Sequence, residues 1–523
     1  MKKKIISIAM SLAIAAVLVG CSGEKVPDTS ETKTEPTSEG GTSEEAPGET
    51  SDEITEIVWQ YPSAGNLGAG FQDVEDALNE MLERDIGVRV RFETTDLMNS
   101  QKEAALMVSA GEQLDICLTA FTGLGSMVDS ELILPLNDLL ESNGKDIKEH
   151  CGVLLDGCAY GENIYGVPVA FMASKTYGYA MRTDLLEKYN ITIDENKHYT
   201  MAELEEIFET IKAGEGSSFY ATIPWNTTTD PLNNSYLEYD KLTGSLSGGV
   251  MMLNRDFKDL TVQNLFETEE YEAYCKMMYN WAQKGYISAD AAVTTEAPET
   301  ILGTGNYLGM FYWNDPGSKG GMETNTSMDI TMVNILEPYV PNGGGQDIMW
   351  NIPVTSKNPE KAMAALNYIY QNKEATWLIQ FGLEGETYEI VEESSEGTLV
   401  RYLAEDTSEL PYFQVFGIYG NRFEWPAVSP DPIDLNKQYK EHDESVHESR
   451  YSAAIGYNFV QTNVTSEIAA VETVIEQYTP SLNTGSLDPE KALPEFINAL
   501  KSAGIDKIIE ENQRQLDEWA AKQ

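Results

Sequence analysis

The chain has 523 residues and carries 35 lysines and arginines against 85 aspartates and glutamates, a formal net charge of −50 at pH 7. A surface this acidic is repelled by nucleic acid and by anionic lipid, so the charge excludes proteins that bind either one through basic patches. Net charge does not bear on small ligands, because it says little about the lining of a pocket.

The N-terminus has the pattern of an export signal. Three lysines precede an apolar run from Ile5 to Val19, which is too short to span a bilayer and is typical of a signal peptide. The run ends in Leu18-Val19-Gly20-Cys21, which resembles the bacterial lipobox. This resemblance implies a signal peptide over residues 1–20 and a diacylglycerol anchor on Cys21. The alternative is an ordinary signal peptide with an incidental cysteine.

Residues 21–53 are mostly Ser, Thr, Glu, Gly and Pro. Such a segment buries too little apolar surface to offset chain entropy, so we expect a disordered acidic linker that holds a folded body away from the membrane. The remaining residues, 54–523, are enough for two lobes with cores of their own. No later run of the sequence is long and apolar enough for a transmembrane helix.

The folded part begins with an alternation of strands and helices. A strand is predicted over residues 54–61, and apolar residues from Phe71 to Leu82 then recur at helical spacing before Gly87. A second strand follows from Val88 to Phe92, then a helix over 101–110 and a third strand over 114–118. This β-α-β-α-β order predicts a parallel sheet covered by helices.

Helices dominate further along the chain. Thr200-Met201-Ala202-Glu203 is a capping box that should begin one helix, and Asn358-Pro359 should begin another. Further helices are predicted near the middle of the chain and at its C-terminus, over residues 271–281, 466–477, 488–503 and 505–519. Pro480, Pro489 and Gly504 are predicted to separate the C-terminal helices.

Four cysteines follow Cys21. Cys117 sits in an apolar strand and is predicted to lie in the core. Cys151 and Cys158 could form a short-loop disulfide outside the cell, or they could be buried free thiols. The sequence contains no C-x-x-C pair, which argues against zinc or thioredoxin-like chemistry.

A ligand site is predicted where the strands end. In open α/β sheets, ligands bind beyond the carboxyl ends of the strands. The loops at these positions and several later turns combine aromatic rings with neutral hydrogen-bonding groups, and sugars require that mixture. The residues expected to contact a ligand are Tyr61, Asn66, Phe121, Thr122, Phe171, Trp225, Trp313, Asp315 and Trp350.

Catalytic patterns are weak. Glu384 and Glu424 could be drawn as a paired-carboxylate glycosidase, but turn and hinge carboxylates are the simpler interpretation. His442 and His447 have i, i+5 spacing and belong to a charged run that is predicted to be solvated. No P-loop, dinucleotide fingerprint or EF-hand loop occurs, so we expect no cofactor and no metal.

Four segments resemble one family, the extracellular solute-binding proteins of bacterial ABC importers, in particular the sugar-type lipoproteins of Gram-positive bacteria. The lipobox and acidic linker fit first. Ala159 to Pro168 reads AYGENIYGVP and is similar to the family segment that enters the second lobe. Ile352 to Ala362 and Phe381 to Tyr388 are similar to a family helix start and to its "yGiEGk-Y" segment. Glu467 to Trp519 resembles the C-terminal domain of the larger members.

The resemblance implies an α/β, two-lobed, periplasmic-binding-protein-like (type II) fold with the ligand cleft between the lobes. It implies a monomer that is not an enzyme, is anchored at the extracellular face of the membrane, and docks on an ABC permease. The ligand should be an oligosaccharide. The alternatives are a binding protein for peptides or another small solute, or a glycoside hydrolase attached to the cell surface. The implied divisions are 54–165 for lobe 1 with a return at roughly 300–400, 166–300 for lobe 2, and 400–523 for a helical region completing lobe 2.

Overall fold

A computed structural model of the protein describes residues 54–64, 67–120, 123–195, 197–225, 235–237, 239–242, 250–253, 257–343 and 348–523, with the backbone alone for 250–253. The predicted signal peptide, Cys21 and the acidic linker lie outside these residues. Within the described chain, no helix combines the length and the apolar character needed to cross a bilayer.

The first lobe follows the predicted alternation of strands and helices. Its elements are β1 (Thr55–Ser63), α1 (Phe71–Ile86), β2 (Val88–Asp96), α2 (Ser100–Ser109), β3 (Cys117–Ala120), α3 (Leu124–Asp129), α4 (Asn137–Asn143), α5 (Lys145–Cys151), α6 (Val153–Gly157), β4 (Ala159–Tyr160), β5 (Asn163–Ile164) and β6 (Val167–Pro168). Helix α1 buries Val74, Leu78 and Leu82 at the predicted spacing. It ends at Gly87, whose φ of 65° few other residues tolerate.

The second lobe contains the middle of the chain. Its elements are β7 (Tyr177–Arg182), α7 (Thr183–Lys188), α8 (Met201–Glu215), β8 (Tyr220–Thr222), β9 (Tyr239–Lys241), β10 (Val250–Leu253), β11 (Val262–Asn264), α9 (Glu269–Gln283), α10 (Pro298–Gly303), β12 (Tyr307–Trp313), α11 (Ser318–Thr326) and β13 (Ile330–Asn334). Helix α8 begins with the predicted capping box: the Glu203 N–H donates to the Thr200 hydroxyl, and the Thr200 N–H donates to the Glu203 carboxylate.

The chain then returns to the first lobe before its C-terminal helices. The returning elements are β14 (Ile348–Asn351), α12 (Pro359–Gln371), α13 (Lys373–Phe381), β15 (Tyr388–Ser394), β16 (Gly397–Tyr402) and β17 (Ala427–Val428). The last helices are α14 (Leu435–Glu444), α15 (Thr465–Asn483), α16 (Pro489–Ala503) and α17 (Ile505–Ala520).

Each lobe has a central sheet. In lobe 1, β1 pairs with β2 and, through Trp59 and Ile116, lies beside β3 in parallel; β14 then pairs antiparallel with both β3 and β6. In lobe 2 the strand order is β13-β7-β12-β8, with β12 parallel to β8 and antiparallel to β7. Because β14 reverses direction, β1, β3 and β6 end at the same edge of the lobe 1 sheet.

The hydrophobic cores place the lobe boundaries later in the chain than predicted. Strands β12 and β13 pair with β7, so residues 307–334 belong to lobe 2, and the return begins at β14 rather than near residue 300. The hairpin β15–β16 packs on α13, which extends lobe 1 beyond residue 400. The C-terminal helices α15, α16 and α17 bury their apolar faces in the lobe 2 core.

Three segments cross between the lobes and lie side by side. Lys175 pairs with Tyr339, and Val340 pairs with Tyr451. We call these paired segments the hinge. Their backbone hydrogen bonds, such as the Lys175 N–H to the Tyr339 carbonyl at 2.8 Å, tie the crossings together where a closing motion of the lobes would bend the chain.

The cysteines behave as core residues. Cys117 is fully buried, as predicted, and Cys151 and Cys158 are buried thiols that do not form a disulfide. Their sulfurs lie near backbone carbonyls, Cys151 at 3.5 Å from Pro168 and Cys158 at 3.6 Å from Leu154. Burial raises the pKa of the Cys151 thiol well above its ordinary range, which keeps it protonated.

Candidate functional site: the cavity between the lobes

A cavity of about 300 Å³ lies where the two lobes meet beside the hinge. From lobe 1 it is lined by residues that follow β6, such as Phe171, and by Ile418. From lobe 2 it is lined by Asp315, which follows β12, and by Lys175 of the hinge. The cavity therefore sits at the carboxyl ends of strands from both sheets, which is where α/β folds bind ligands.

Phe171 is held in place by contacts on several sides. The backbone around it is fixed by the Ala170 N–H donating to Gly420 and by the Arg422 N–H donating to Ala170 at 2.9 Å. Its ring meets Tyr439 of α14 edge-on at 4.9 Å between centroids. The guanidinium carbon of Arg422 lies 3.9 Å from the ring centroid. This predicted site residue thus lines the cavity as part of a rigid aromatic cluster.

Asp315 brings a carboxyl group into the same cavity. Its Oδ1 is buried without a hydrogen-bond partner, and burial raises the pKa of this carboxyl to about 6, although Lys175 opposes the shift. His442 Nε2 lies 3.9 Å from this oxygen and shares a 2.8 Å hydrogen bond with the Thr176 hydroxyl. A buried oxygen with no partner is costly, so this position favours a ligand hydroxyl that can donate to it.

The prediction that His442 belongs to a solvated charged run is wrong. Helix α14 packs against Phe171 and turns His442 and Asp443 toward the hinge, where Asp443 accepts a hydrogen bond from the Ser174 N–H at 2.8 Å. Burial lowers the pKa of His442 below its usual value. Although this run is rich in charged residues, one face of the helix that it forms is half-buried.

Trp225 and Trp313 meet at the carboxyl edge of the lobe 2 sheet. Trp225 follows β8 and Trp313 ends β12; since these strands are parallel, the two rings come together edge-on at 5.4 Å between centroids. Tyr312 contacts Trp313 at 5.0 Å, also edge-on. Both tryptophans are half-buried, and the Trp225 indole nitrogen has no hydrogen-bond partner. Two separately predicted residues thus form one aromatic cluster.

Tyr61 and Trp350 do not offer a surface to a ligand, which corrects their assignment from the sequence. Both are fully buried in the lobe 1 core. The strand β1 continues past Tyr61 to Ser63, so Tyr61 stays inside the sheet and its hydroxyl bonds that of Tyr412. Trp350 lies within β14, where its indole N–H donates to the Ile418 carbonyl at 2.9 Å.

The other predicted contacts, Asn66, Phe121 and Thr122, lie outside the described residues and remain predictions. Two lining residues were missed. Lys175 and Arg422 both line the cavity, although only the neighbouring Glu424 drew attention in the sequence. The sequence does contain a feature that could have pointed to Arg422. It stands beside aromatic residues in a chain where acidic residues outnumber basic ones by more than two to one.

A second cavity of about 200 Å³ also lies between the lobes, lined by Tyr160 and Tyr457. The polar ends of these rings are already engaged: the Tyr160 hydroxyl donates to Asp129 at 2.9 Å, and the Tyr457 hydroxyl donates to Asn512 at 2.8 Å. Asn342 Oδ1 is buried in this lining without a hydrogen-bond partner. The cavity at Phe171 and Asp315 is the stronger candidate because it lies at the carboxyl ends of strands from both sheets.

The paired-carboxylate alternative gains no support from the fold. Glu384 and Glu424 are both exposed, and the Glu424 backbone carbonyl accepts the Trp377 indole N–H at 2.8 Å. Among the described residues, no group of three or more metal-ligating side chains comes together.

Comparison with known families defines the class of protein. Residues 64–376, more than half of the chain, match the model for bacterial extracellular solute-binding proteins, and the chain belongs to that family. Residues 453–521, which include α16 and α17, match a domain of unknown function (DUF3502).

Individual relatives agree with this class. A carbohydrate ABC transporter substrate-binding protein of Streptococcus pneumoniae is 24% identical over 450 residues, covering 84% of this chain and 86% of the relative. The crystal structure of the N-glycan transport solute binding protein NgtS from the same species has a TM-score of 0.75 at 22% identity, over 89% of this chain and 99% of that one. An HMO binding, ABC-transporter-associated solute binding protein from Bifidobacterium longum infantis has a TM-score of 0.63 at 15% identity, over 90% of this chain and 100% of that one. These matches confirm the two-lobed type II fold.

Proposed function

We propose that this protein captures an extracellular carbohydrate between its lobes and delivers it to the permease of an ABC importer. One observation supports a carbohydrate as the ligand: aromatic rings and unpaired polar atoms lie together at the carboxyl edges of both sheets. The rings are Phe171 and the Trp225–Trp313 pair, and the unpaired atoms include Oδ1 of Asp315. Rings stack on the apolar faces of sugars, and buried polar atoms pair with their hydroxyls.

The relatives support this proposal. The S. pneumoniae relative is named as a carbohydrate ABC transporter substrate-binding protein, and NgtS is described in complex with Man5GlcNAc. These names describe the ligands of the relatives themselves, and the sequence identities are below 25%. The particular sugar, its linkage and its length are therefore not transferred to this chain.

The same proposal includes a lipid anchor. The lipobox-like residues Leu18 to Cys21 and the acidic linker over 21–53 would tether the binding body at the extracellular face of the membrane, close to its importer. A single anchored chain that works as a monomer is sufficient for this role.

The ligand class is tested by a thermal-shift screen of the purified chain against matched panels of oligosaccharides, peptides and amino acids. A ligand that binds only the folded state stabilises it by about 2.7 kcal/mol at 100 times its Kd. We expect a shift with at least one oligosaccharide. A shift with peptides or amino acids and none across a broad sugar panel would contradict the carbohydrate assignment.

A further inference from the structure

Arg422 is a half-buried cation in the lining of this cavity. Among the described residues no carboxylate forms an ion pair with it, and its Nε is buried without a hydrogen bond. Burial lowers the pKa of this guanidinium, and Tyr439 opposes the shift. Removing a charge from water without a carboxylate to pair it is unfavourable, so such a residue in a binding protein indicates that the ligand supplies the partner.

Aromatic rings enclose the guanidinium and fix its orientation. The Phe171 ring centroid lies 3.9 Å from the guanidinium carbon and the Trp425 centroid lies 5.2 Å from it. Gly417 completes the enclosure: a β-carbon at this position would lie 3.3 Å from the guanidinium carbon. The aromatic rings contact the flat faces of the guanidinium, while its N–H groups lie in the plane and can donate hydrogen bonds from its edge.

The charges around the cavity also favour an anion. Its charged lining residues are Lys175, Arg422 and Asp315, two cations against one carboxyl, in a chain whose net charge is −50. Asp443 lies behind the lining and is engaged by the Ser174 N–H. A locally basic pocket within so acidic a surface is unexpected unless an anion is to be held there.

We propose that the carbohydrate taken by this cavity carries a carboxylate, as uronic acids and sialic acids do, and that the edge of Arg422 binds that carboxylate. The planar guanidinium matches a carboxylate with two parallel hydrogen bonds, while Phe171 holds it in place. This inference rests on the proposed carbohydrate function and narrows it to acidic sugars.

The ligand itself provides the first test. Oligosaccharides that contain uronic or sialic acids are compared, by titration of the purified full chain, with the same oligosaccharides after reduction of the carboxyl to an alcohol. The pair differs only in the group that Arg422 would bind. We expect at least one acidic oligosaccharide to bind about 10- to 100-fold more tightly than its reduced form, because hydrogen bonds to charged groups are strong.

Two substitutions locate the effect. Arg422→Gln removes the charge but keeps a long polar side chain, and should bring the affinity for the acidic form down to that for the reduced form. Arg422→Lys keeps the charge but loses the paired geometry, and should fall between. Arg401→Gln is the matched control, because Arg401 lies on β16 with 62% of its side chain exposed and pairs with Glu389. It should leave both affinities unchanged.

The outcomes separate the two proposals. If neutral sugars bind and no acidic form is preferred over its reduced partner, the acidic assignment is overturned and the carbohydrate function stands. If neither form of any sugar binds while peptides do, both are overturned. If Arg422→Gln lowers the melting temperature but leaves the acidic-to-reduced affinity ratio as in the wild type, Arg422 acts as a structural residue and the proposal fails.

Discussion

Trp313 is the residue where the aromatic part of the site is easiest to test. Its ring contacts Trp225 and Tyr312 at the carboxyl edge of lobe 2. If this cluster stacks on the sugar, Trp313→Ala should weaken binding by about 1–3 kcal/mol, measured by titration calorimetry. Trp519→Ala is the control: Trp519 is also half-buried but packs on Tyr457. Equal affinities for the two variants would remove the cluster from the site.

Trp350 should respond in the opposite way. It is fully buried, contacts Trp59 edge-on at 5.5 Å, and donates its indole N–H to the Ile418 carbonyl. Trp350→Ala should lower the free energy of unfolding by about 3–5 kcal/mol through the cavity it leaves. Chemical denaturation measures this loss, and a stability close to that of the wild type would show that the ring is not a core residue.

Asp315 predicts a pH dependence whose sign follows from its environment. Burial raises the pKa of the folded carboxyl from 3.8 to about 6, so between these values only the folded state keeps the proton. Unfolding then releases a proton, and this group's contribution to stability falls as the pH rises from about 4 to 6. Asp315→Asn should therefore match the wild-type melting temperature near pH 4 and exceed it at pH 7.

This comparison is made without ligand, over a melting series from pH 4 to pH 7. Other carboxyls titrate in the same range, so the informative quantity is the difference between the variant and the wild type at each pH. Parallel melting curves, with a constant difference, would show that Asp315 titrates as an ordinary surface carboxyl.

The sequence predicted individual site residues only from their neighbours along the chain. The rule that ligands lie at carboxyl strand ends selected Phe171 and Asp315, which line one cavity in the structure, while their contact with a ligand stays a prediction. It could not tell that β1 runs two residues beyond Tyr61, nor that Trp350 faces inward, because both depend on pairing with distant strands. Arg422 escaped notice because its importance comes from lacking a partner, which only a three-dimensional structure reveals.

Among the elements, helices with local signals were predicted most accurately. The capping box of α8 is present as expected, so Thr200→Ala should lower the free energy of unfolding by about 0.5–2 kcal/mol. Thr200→Ser keeps the hydroxyl and should retain most of the stability. Denaturant unfolding of both variants is the measurement, and an equal loss in the two would show that the hydroxyl is not the stabilising group.

Helix α15 shows where a local rule was overridden. Pro480 was expected to separate helices, yet α15 continues to Asn483. The residues after the proline are buried in lobe 2, where Leu482 joins the core and Asn483 accepts a hydrogen bond from the Tyr271 hydroxyl at 2.9 Å. Tertiary burial compensates for the backbone hydrogen bond that proline cannot donate.

At the scale of the molecule, the β-α-β order and the family resemblance predicted the two lobes, whereas the boundaries needed the structure. The sequence places the return into lobe 1 at roughly residues 300–400, whereas β12, which falls in that range, pairs with β7 of lobe 2. Gly309 permits that pairing, since a β-carbon there would overlap the Ala180 carbonyl oxygen. Close approaches of this kind are set by strand order, which the sequence does not specify.

The anchor predicts the behaviour of the whole protein in the cell. Cys21→Ser removes the sulfur that the lipid would modify, so the protein should move from the membrane fraction into the medium, as measured by fractionation and immunoblotting. The affinity of the purified body for its ligand should not change. Retention of the variant in the membrane fraction would contradict lipid attachment at Cys21.

The central claim is that a carbohydrate binds in the cavity between the lobes, and titration calorimetry of the purified chain with the best-stabilising oligosaccharide tests it most directly. We predict saturable binding of one oligosaccharide per chain, weakened in Trp313→Ala and unchanged in Trp519→Ala. Wild-type affinity in Trp313→Ala, or binding of peptides in place of every sugar, would contradict the account.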